Sequence, residues 1–237
     1  MTRAPSSFHV SRYPRLLDKL EAHDRDWLRS RATTVELVRG ALVFSQSEPI
    51  DDVFIIESGR VKAYYTTPQG QSITFAFWLE GMLMGVPGVS TGFDHMWTAE
   101  VIVPTRLMRF ARTDLLAVVD RSITAAKSII EILEFKSKYL SRLAQLLGTA
   151  SVADRLRFVL YSLRDLYGVP DPETGGVRIE LPLTHADIAD MVGASRQWVT
   201  VSLGQLERDG LICTRQRYII VAEERDARRS ALVGHAG

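Results

Sequence analysis

The chain has 237 residues, with 46% hydrophobic and 24% charged side chains and a formal net charge of +1, which suits a soluble globular protein of one or two domains and decides nothing about a nucleic-acid partner. Its single cysteine, Cys213, excludes an intrachain disulfide and a four-thiolate metal site within one chain. Because the N-terminus lacks a signal peptide and no run reaches the roughly 18–20 apolar residues of a membrane span, we expect a cytoplasmic protein without a membrane partner.

The first part of the chain predicts a small antiparallel β-roll. Residues 1–12 are polar and unpatterned, which is typical of a flexible arm. From 31 to 112, short apolar runs alternate with turn residues, as in strands joined by tight turns. The four runs are ALVF, DVFIIE, VKAYYT and SITFAFWL; turns at 58–59 and 68–70 end the second and third, and Gly81 ends the last. We therefore predict an effector-sensing roll over residues 13–114.

The run SITFAFWL has the alternating pattern of a strand with one buried face. The residues predicted to face inward are Ile73, Phe75, Phe77 and Leu79. The residues between them, which include Thr74 and Trp78, are predicted to face outward.

Residues 115–148 predict one long dimerisation helix, because this stretch has no proline and no glycine before Gly148. A row with the spacing of a coiled coil, broken once by a lysine, runs along it: Ile129, Leu133, Lys136, Leu140, Leu143 and Leu147. A second apolar row widens the stripe: Ile132, Phe135, Tyr139 and Leu146. We expect one edge of this stripe to pack on the roll and the other on a partner chain.

Residues 149–225 predict a winged helix-turn-helix domain, and 226–237 a tail. Ser151 and Asp154 form a capping box that opens a new helix, so 148–151 is the predicted hinge between domains. The fold class is therefore α+β, with an N-terminal antiparallel roll, a long helix and a C-terminal winged helix.

The helix-turn-helix itself is two short helices joined by a glycine turn. Thr184 caps the first helix, with Asp187 three residues later; Gly193 ends it, and Ser195 caps the second. The buried row of the second helix is Val199, Leu203 and Leu206. The runs LICT and RYIIV then predict a two-stranded wing.

Because that row faces inward, the opposite face of the second helix must be exposed. It consists of Arg196, Gln197, Thr200, Val201 and Gly204, with Trp198 on the flank. In the major groove Arg pairs with guanine and Gln with adenine, so this face predicts a reader of double-stranded DNA. Four residues are placed to contact the DNA backbone: Thr184, Ser195, Arg215 and Arg217.

A helical hairpin with a solvated polar face is the alternative to a DNA reader. Residues 151–237 carry 11 arginines and 12 acidic residues, so this region is not basic overall. DNA binding therefore requires that the positive charges be clustered.

The segment LPLTHADIADMVGASRQWVTVSLGQLERDGLI resembles the winged helix of the bacterial Crp/Fnr transcription regulators. The resemblance extends upstream, from FIIESGRVKAYY to LEGMLMGV, and covers about residues 35–221. It implies a homodimer whose cyclic-nucleotide-binding-like roll senses a signal and whose paired helices read a palindromic operator. It also implies contact with RNA polymerase if the protein is an activator.

Two residues depart from the family's base-reading pattern. The usual glutamate and arginine are replaced by Gln197 and Val201, whereas Arg196 matches. Gln prefers adenine where glutamate accepts from cytosine, and a valine reaches only a thymine methyl. We therefore expect an operator that differs from the family's common half-site.

The family's cyclic-nucleotide cassette is also altered. At Gly85 the glycine is present, but Val86 stands where the resemblance implies the ribose-binding glutamate, and Trp97 where it implies the phosphate-binding arginine; Thr98 is retained. A buried phosphate without a cation would cost several kcal/mol, so cAMP and cGMP are disfavoured.

An aromatic neighbourhood remains, formed by Phe75, Phe77, Trp78, Phe93 and Trp97. It either encloses an apolar or aromatic effector or fills the core of the roll. The candidate effector-binding residues are Phe75, Phe77, Gly85, Val86, Trp97, Thr98, Lys136, Leu140 and Ser141. Lys136 would bind an anionic effector, select the helix register, or extend to solvent as a surface lysine.

Three regulatory hypotheses stay open: control by an unidentified small-molecule effector, an effector-independent factor whose roll is only a scaffold, and a haem-based sensor. Haem would need His95 as an axial ligand, and otherwise His95 is ordinary polar surface. An enzyme of the cupin type is rejected because residues 35–90 contain no histidine for a metal site. We expect no cofactor and no bound metal.

Overall fold

A computed structural model describes residues 13–86 and 88–222. The chain divides into two compact units, with residues 13–143 in one and 144–222 of the described chain in the other. The predicted arm at 1–12 and tail at 226–237 lie outside the described residues. Within the described ranges, no helix combines the length and the apolar character that crossing a membrane requires.

The first unit is built on an antiparallel sheet of six strands. Its elements are α1 (Leu16–Lys19), α2 (Ala22–Arg31), β1 (Thr33–Leu37), β2 (Leu42–Phe44), β3 (Asp52–Thr66), β4 (Ser72–Trp78), β5 (Leu83–Met84), β6 (Thr98–Ala111), α3 (Arg112–Arg121) and α4 (Ile123–Thr149). The strand order is β1-β6-β3-β4, with β2 paired to β6 and β5 to β3. The division between the units falls within α4.

The predicted turn at residues 58–59 is wrong, because DVFIIE and VKAYYT belong to one strand, β3. The register of β3 with β6 shifts at three places between Ile56 and Val61. Gly59 has a φ of 99° here, and a Cβ at this position would lie 2.4 Å from Oγ1 of Thr105. The glycine therefore allows two long strands to bulge against each other rather than to end.

The predicted faces of β4 are wrong at its start and again at Trp78, which was predicted to face outward and is buried. Ala63 pairs with Ala76, but the next residue, Tyr64, pairs with Thr74, so Phe75 is an extra residue in a bulge. A bulge reverses which side chains point inward. Thr74 is accordingly 1% exposed, whereas Ile73 is 44% exposed.

The predicted continuous helix over 115–148 is also wrong, because α3 ends at Arg121 and α4 begins at Ile123. Ser122 between them has an extended backbone, with φ −126° and ψ 107°. Its hydroxyl accepts a hydrogen bond from the backbone nitrogen of Ala125, so it caps the new helix.

The row predicted as a coiled-coil seam is divided between two faces of α4. Ile129, Leu143 and the second-row residues Ile132, Tyr139 and Leu146 are buried within the chain. The exposed apolar row of α4 consists of Ile123, Ile130, Leu133, Leu140 and Leu147. The 3.5-residue repeat holds on both faces, so spacing alone did not separate them.

Lys136 lies on the inner face of α4, and the interpretation of it as a surface lysine is wrong. Its Nζ donates to the carbonyl oxygen of Leu83 at 3.1 Å and lies 5.7 Å from the ring centroid of Trp78. The hydroxyl of Tyr13 donates to the same carbonyl at 3.3 Å. Burial lowers the pKa of Lys136 to about 8.

The second unit begins with the final turns of α4 and contains the winged helix. Its elements are α5 (Val152–Tyr167), β7 (Gly168–Pro170), β8 (Val177–Ile179), α6 (His185–Val192), α7 (Arg196–Arg208), β9 (Ile212–Arg215) and β10 (Tyr218–Val221). The strands form one antiparallel sheet in the order β7-β8-β10-β9. The two predicted wing strands pair with each other as β9 and β10, and β8 pairs with β10 to join this wing to the larger sheet.

Arg155, in the first turns of α5, bridges the predicted hinge. Its Nε donates to the carbonyl of Val192 at 2.7 Å, at the C-terminal end of α6. Its Nη1 donates to the carbonyls of Ala150 at 3.2 Å and Leu147 at 3.5 Å, at the end of α4. One cation therefore satisfies free carbonyls at two helix C-termini, where positive charge is favourable.

The turn between α6 and α7 depends on a left-handed residue, Gly193, with φ 64° and ψ 50°. A Cβ added there would meet nothing closer than 3.5 Å, so the cost of Gly193→Ala is conformational. We expect it to lower the free energy of unfolding by about 1 kcal/mol in urea denaturation. Gly204→Ala is the matched control: Gly204 lies within a helix, so alanine should raise stability by about 0.5–1 kcal/mol. Destabilisation by both variants would contradict this assignment.

The buried amine predicts a pH-dependent stability. Because the folded-state pKa of Lys136 is about 8, below the ordinary value of about 10.4 for an unfolded lysine, the unfolded chain binds more protons between these values. The contribution of Lys136 to the free energy of unfolding therefore rises as the pH increases from 8 to 10. Across that range, we expect the free energy of unfolding of the wild type to rise by about 1–2 kcal/mol more than that of Lys136→Met, as measured by urea denaturation.

Lys138→Met is the control for this measurement, because Lys138 is 68% exposed and forms an ion pair with Glu134 on the helix surface. Its pH dependence should match that of the wild type. An identical profile for Lys136→Met would show that Lys136 ionises normally.

Candidate functional site

The two helices of the helix-turn-helix begin at the predicted caps. The hydroxyl of Thr184 donates to a carboxylate oxygen of Asp187 at 2.6 Å and accepts from the Asp187 backbone nitrogen at 3.1 Å. The carboxylate in turn accepts from the Thr184 backbone nitrogen at 3.0 Å, which completes a capping box. Ser195 accepts from the Trp198 backbone nitrogen at 3.1 Å. These bonds set where both helices start.

The second helix, α7, has the predicted two faces. Its row of Val199, Leu203 and Leu206 is buried. Four predicted DNA-contacting residues on the opposite face are exposed: Arg196, Gln197, Thr200 and Val201. Val201 is 63% exposed, and Trp198 is half-buried on the flank. The structure therefore brings an exposed guanidinium, an amide and an apolar group together on one helix surface.

A contact that the sequence did not predict joins α6 to α7. Nδ1 of His185 lies 2.8 Å from Oγ1 of Thr200, and the same hydroxyl donates to the carbonyl of Arg196 at 2.9 Å. His185 is the first residue of α6, directly after the cap. The only sequence signal was a polar side chain at the exposed start of the first helix.

The two wing arginines differ in their partners. Arg215 forms an ion pair with Glu173, so a phosphate would compete with that carboxylate. Arg217 is exposed and has no ion-pair partner among residues 13–86 and 88–222. Gln216 and Arg217 have φ values of 47° and 75°, as a two-residue hairpin turn requires. Of the two arginines, Arg217 is the one free to contact DNA.

The altered cassette of the first unit is filled by apolar groups. Val86 is 1% exposed and belongs to the same core as Val53 and Leu83. Gly85 has a φ of 83°, and a Cβ there would lie 3.0 Å from the carbonyl oxygen of Asp52. The hydroxyl of Thr98 is buried and accepts from the backbone nitrogen of Gln46 at 3.1 Å. The residues at the positions predicted for nucleotide contacts are therefore engaged in core packing and in an internal hydrogen bond.

Three of the five predicted aromatic residues, Phe75, Trp78 and Trp97, form a cluster. The ring of Trp97 meets Phe75 edge-on with centroids 5.0 Å apart, and lies 6.3 Å from Trp78. Phe77 is buried in the roll. Phe93 is 70% exposed, so its assignment to this neighbourhood is wrong. Phe75 lies in the bulge of β4, and its ring contacts Trp97. A strict alternation of inward and outward residues did not predict this contact.

The remaining candidates lie apart from that cluster or have another role. Leu140 and Ser141 are exposed on α4. His95 is buried, and its ring stacks on Phe44 with centroids 3.8 Å apart, so the interpretation of His95 as polar surface is wrong. Burial also lowers the pKa of His95, which favours the neutral ring.

Comparison with known protein families matches both units. Residues 34–122 match the model of the cyclic nucleotide-binding domain, and residues 141–226 match that of the Crp-like helix-turn-helix domain. The global nitrogen regulator of Synechococcus elongatus is 27% identical over 186 residues, which cover 77% of this chain and 82% of the relative. The CRP-like cAMP-activated global transcriptional regulator of Mycobacterium tuberculosis is 26% identical over 205 residues, with 86% and 90% covered.

Solved structures share the fold. The structure of FixK2 from Bradyrhizobium japonicum has a TM-score of 0.73 at 22% identity, covering 84% of this chain and 96% of that one. The c-di-GMP responsive global regulator CLP of Xanthomonas campestris has a TM-score of 0.67 at 19% identity, covering 86% and 100%. With both domain families present in this order and these relatives over most of its length, the chain belongs to the Crp/Fnr family of DNA-binding transcription regulators.

Proposed function

We propose that this protein binds a palindromic DNA operator as a homodimer, and that a small molecule other than a cyclic nucleotide controls its affinity. The observation that carries the DNA assignment is the exposed face of α7, on which Arg196, Gln197 and Val201 stand opposite a buried row. Such a regulator acts where the DNA is, in the cytoplasm, as a binding protein rather than an enzyme. As an activator it would also contact RNA polymerase.

Base reading is assigned to three side chains of α7. Arg196 donates to guanine, Gln197 pairs with adenine, and Val201 contacts a thymine methyl. The backbone is held by Thr184, Ser195, Trp198, Thr200, Arg215 and Arg217. Among these, the support for Arg217 is stronger than for Arg215, because only Arg215 already pairs with a carboxylate.

The homodimer is supported by the exposed apolar row of α4. Ile130 is 55% exposed, and with Leu133 and Ser137 it lines an open groove of about 460 Å³ on the helix surface. Leu140 continues the row about two turns after Leu133. A second copy of α4 would bury these side chains in a two-stranded contact. It would also pair two α7 helices for half-sites one turn of DNA apart.

The effector is proposed to differ from cAMP and cGMP. Val86 packs in the core where the family's glutamate would take a ribose hydroxyl, and the Trp97 ring stands where a cation would neutralise the phosphate. A relative's name includes cAMP activation, but this chain lacks those two groups. The cluster of Phe75, Trp78 and Trp97 instead suits an apolar or aromatic molecule, with the Lys136 amine 5.7 Å from the Trp78 ring for an anionic group.

An effector-independent regulator is the second candidate. Two observations favour it. The Thr98 hydroxyl already accepts a hydrogen bond from the backbone nitrogen of Gln46, and Val86 is fully buried. In that case the roll serves only to hold the dimer. Haem has less support because His95 stacks on Phe44 inside the roll.

Base reading is tested by selecting bound duplexes from a random pool. We expect the wild type to select palindromes, and Gln197→Glu to exchange an adenine preference for cytosine at one position of each half-site. Arg196→Ala should lose a guanine preference and about 5- to 150-fold in affinity, which corresponds to roughly 1–3 kcal/mol per contacted base. Arg208→Ala, at the far end of α7, is the control and should leave the selected sequence unchanged. Selection of the same sequences by all four proteins would exclude α7 as the reader.

The effector proposal is tested by native mass spectrometry of the purified protein. We expect the wild type to carry a bound small molecule that is absent from Trp97→Ala. Removing this molecule from the wild type should change its DNA affinity. Phe93→Ala is the control, because Phe93 is exposed outside the cluster. Protein that carries no small molecule and binds DNA equally well with and without cell metabolites would support the scaffold alternative.

A further inference from the structure

The hydrogen bond between His185 and Thr200 determines which imidazole nitrogen carries the hydrogen of the neutral ring. A hydroxyl carries one proton, and Thr200 donates it to the carbonyl of Arg196 at 2.9 Å. Its oxygen is then an acceptor toward Nδ1 of His185, 2.8 Å away. Nδ1 therefore carries a hydrogen in both the neutral and the charged ring, which leaves Nε2 without a hydrogen in the neutral ring.

The position of His185 places its ring beside the face of α7 that is proposed to meet DNA. In helix-turn-helix proteins the first helix crosses the sugar–phosphate backbone while the second enters the major groove. His185 is the first residue of the first helix, α6, and is joined to Thr200 on the exposed face of α7. The N-terminus of a helix also attracts phosphate through its free N–H groups and its dipole.

We propose that His185 binds a DNA phosphate through protonated Nε2, so that DNA binding by this protein is linked to proton uptake. The inference rests on the proposed DNA-binding function. A neutral imidazole with hydrogen on Nδ1 offers only an acceptor at Nε2, which a phosphate oxygen cannot use. A protonated ring offers a charged donor, which makes a stronger bond.

The charged groups around His185 are consistent with this assignment. On α6, the carboxylate of Asp187 is engaged in the capping box with Thr184, and Asp190 lies more than one turn further along. On α7, Arg196 begins the helix one turn before Thr200. On α5, Arg155 donates to Val192 at the opposite end of α6. His185 is also the only histidine between residues 144 and 222.

The test measures DNA affinity by fluorescence anisotropy at pH 6, 7 and 8 and constant ionic strength. Two probes are used: a duplex selected from the random pool and a duplex of mixed sequence, because a phosphate contact does not depend on sequence. When the pH is lowered from 8 to 6, we expect the DNA affinity of the wild type to rise about 3- to 10-fold per protomer more than the DNA affinity of His185→Asn. Asparagine retains a neutral donor near the place of Nδ1 but cannot be protonated.

His185→Arg is the second variant, because it carries the charge at every pH. It should bind at pH 8 as tightly as the wild type does at pH 6 and show no pH dependence beyond that of His185→Asn. At pH 6 the salt dependence of the wild type should be steeper than that of His185→Asn by about one unit of log K per log salt for each protomer. A structural role for His185 would not change this slope.

Parallel pH profiles for the wild type and both variants would overturn the proposal. If His185→Asn does not fold, as judged by its urea denaturation, the comparison of wild type with His185→Arg decides the question. Failure of the wild type to bind any duplex at any pH is a different result, because it would overturn the proposed function itself.

Discussion

The burial of one face of α7 is the constraint on which the DNA-binding unit depends. Helices of eight and thirteen residues are too short to be stable alone in water, so α6 and α7 need a shared core. Val199 and Leu203 supply it from α7, and Ile188 and Val192 from α6, all of them buried. Each such side chain contributes about 1.5–3 kcal/mol. Because this row is held inside, the Arg196 face is necessarily outside.

The caps and the glycine turn convert that burial into a defined geometry. Thr184 and Ser195 satisfy backbone groups at the starts of the two helices, and Gly193 allows the left-handed residue between them. The Thr200 hydroxyl, bonded to the first helix through His185 and to its own helix through Arg196, connects the two starting points. The exposed polar groups are therefore carried on a surface that several local bonds hold together.

The roll combines a backbone position that requires glycine with apolar packing at the next residue. Gly85 still has the positive φ that lets the backbone approach Asp52, whereas Val86 beside it has joined the apolar core. A carboxylate at Val86 would be buried without a partner, which is unfavourable. Lys136 shows the converse, because its amine is retained near Trp78 at the expense of a lowered pKa. The two residues together are the physical basis for proposing a ligand other than a cyclic phosphate.

By itself, the sequence determined the features that arise from local bonds and short repeats. These are the caps at Ser151, Thr184 and Ser195, the turn at Gly193, and the inward and outward faces of α7, because each depends on residues three or four positions apart. Only the tertiary structure decided the features that depend on distant partners. Gly59 continues a strand because Thr105 lies against it, and a bulge turns Thr74 inward. The heptad spacing placed Lys136 in an apolar row without deciding which neighbour that row faces. The structure shows that Lys136 reaches the Leu83 carbonyl, because the sheet, far away in sequence, covers that side of α4.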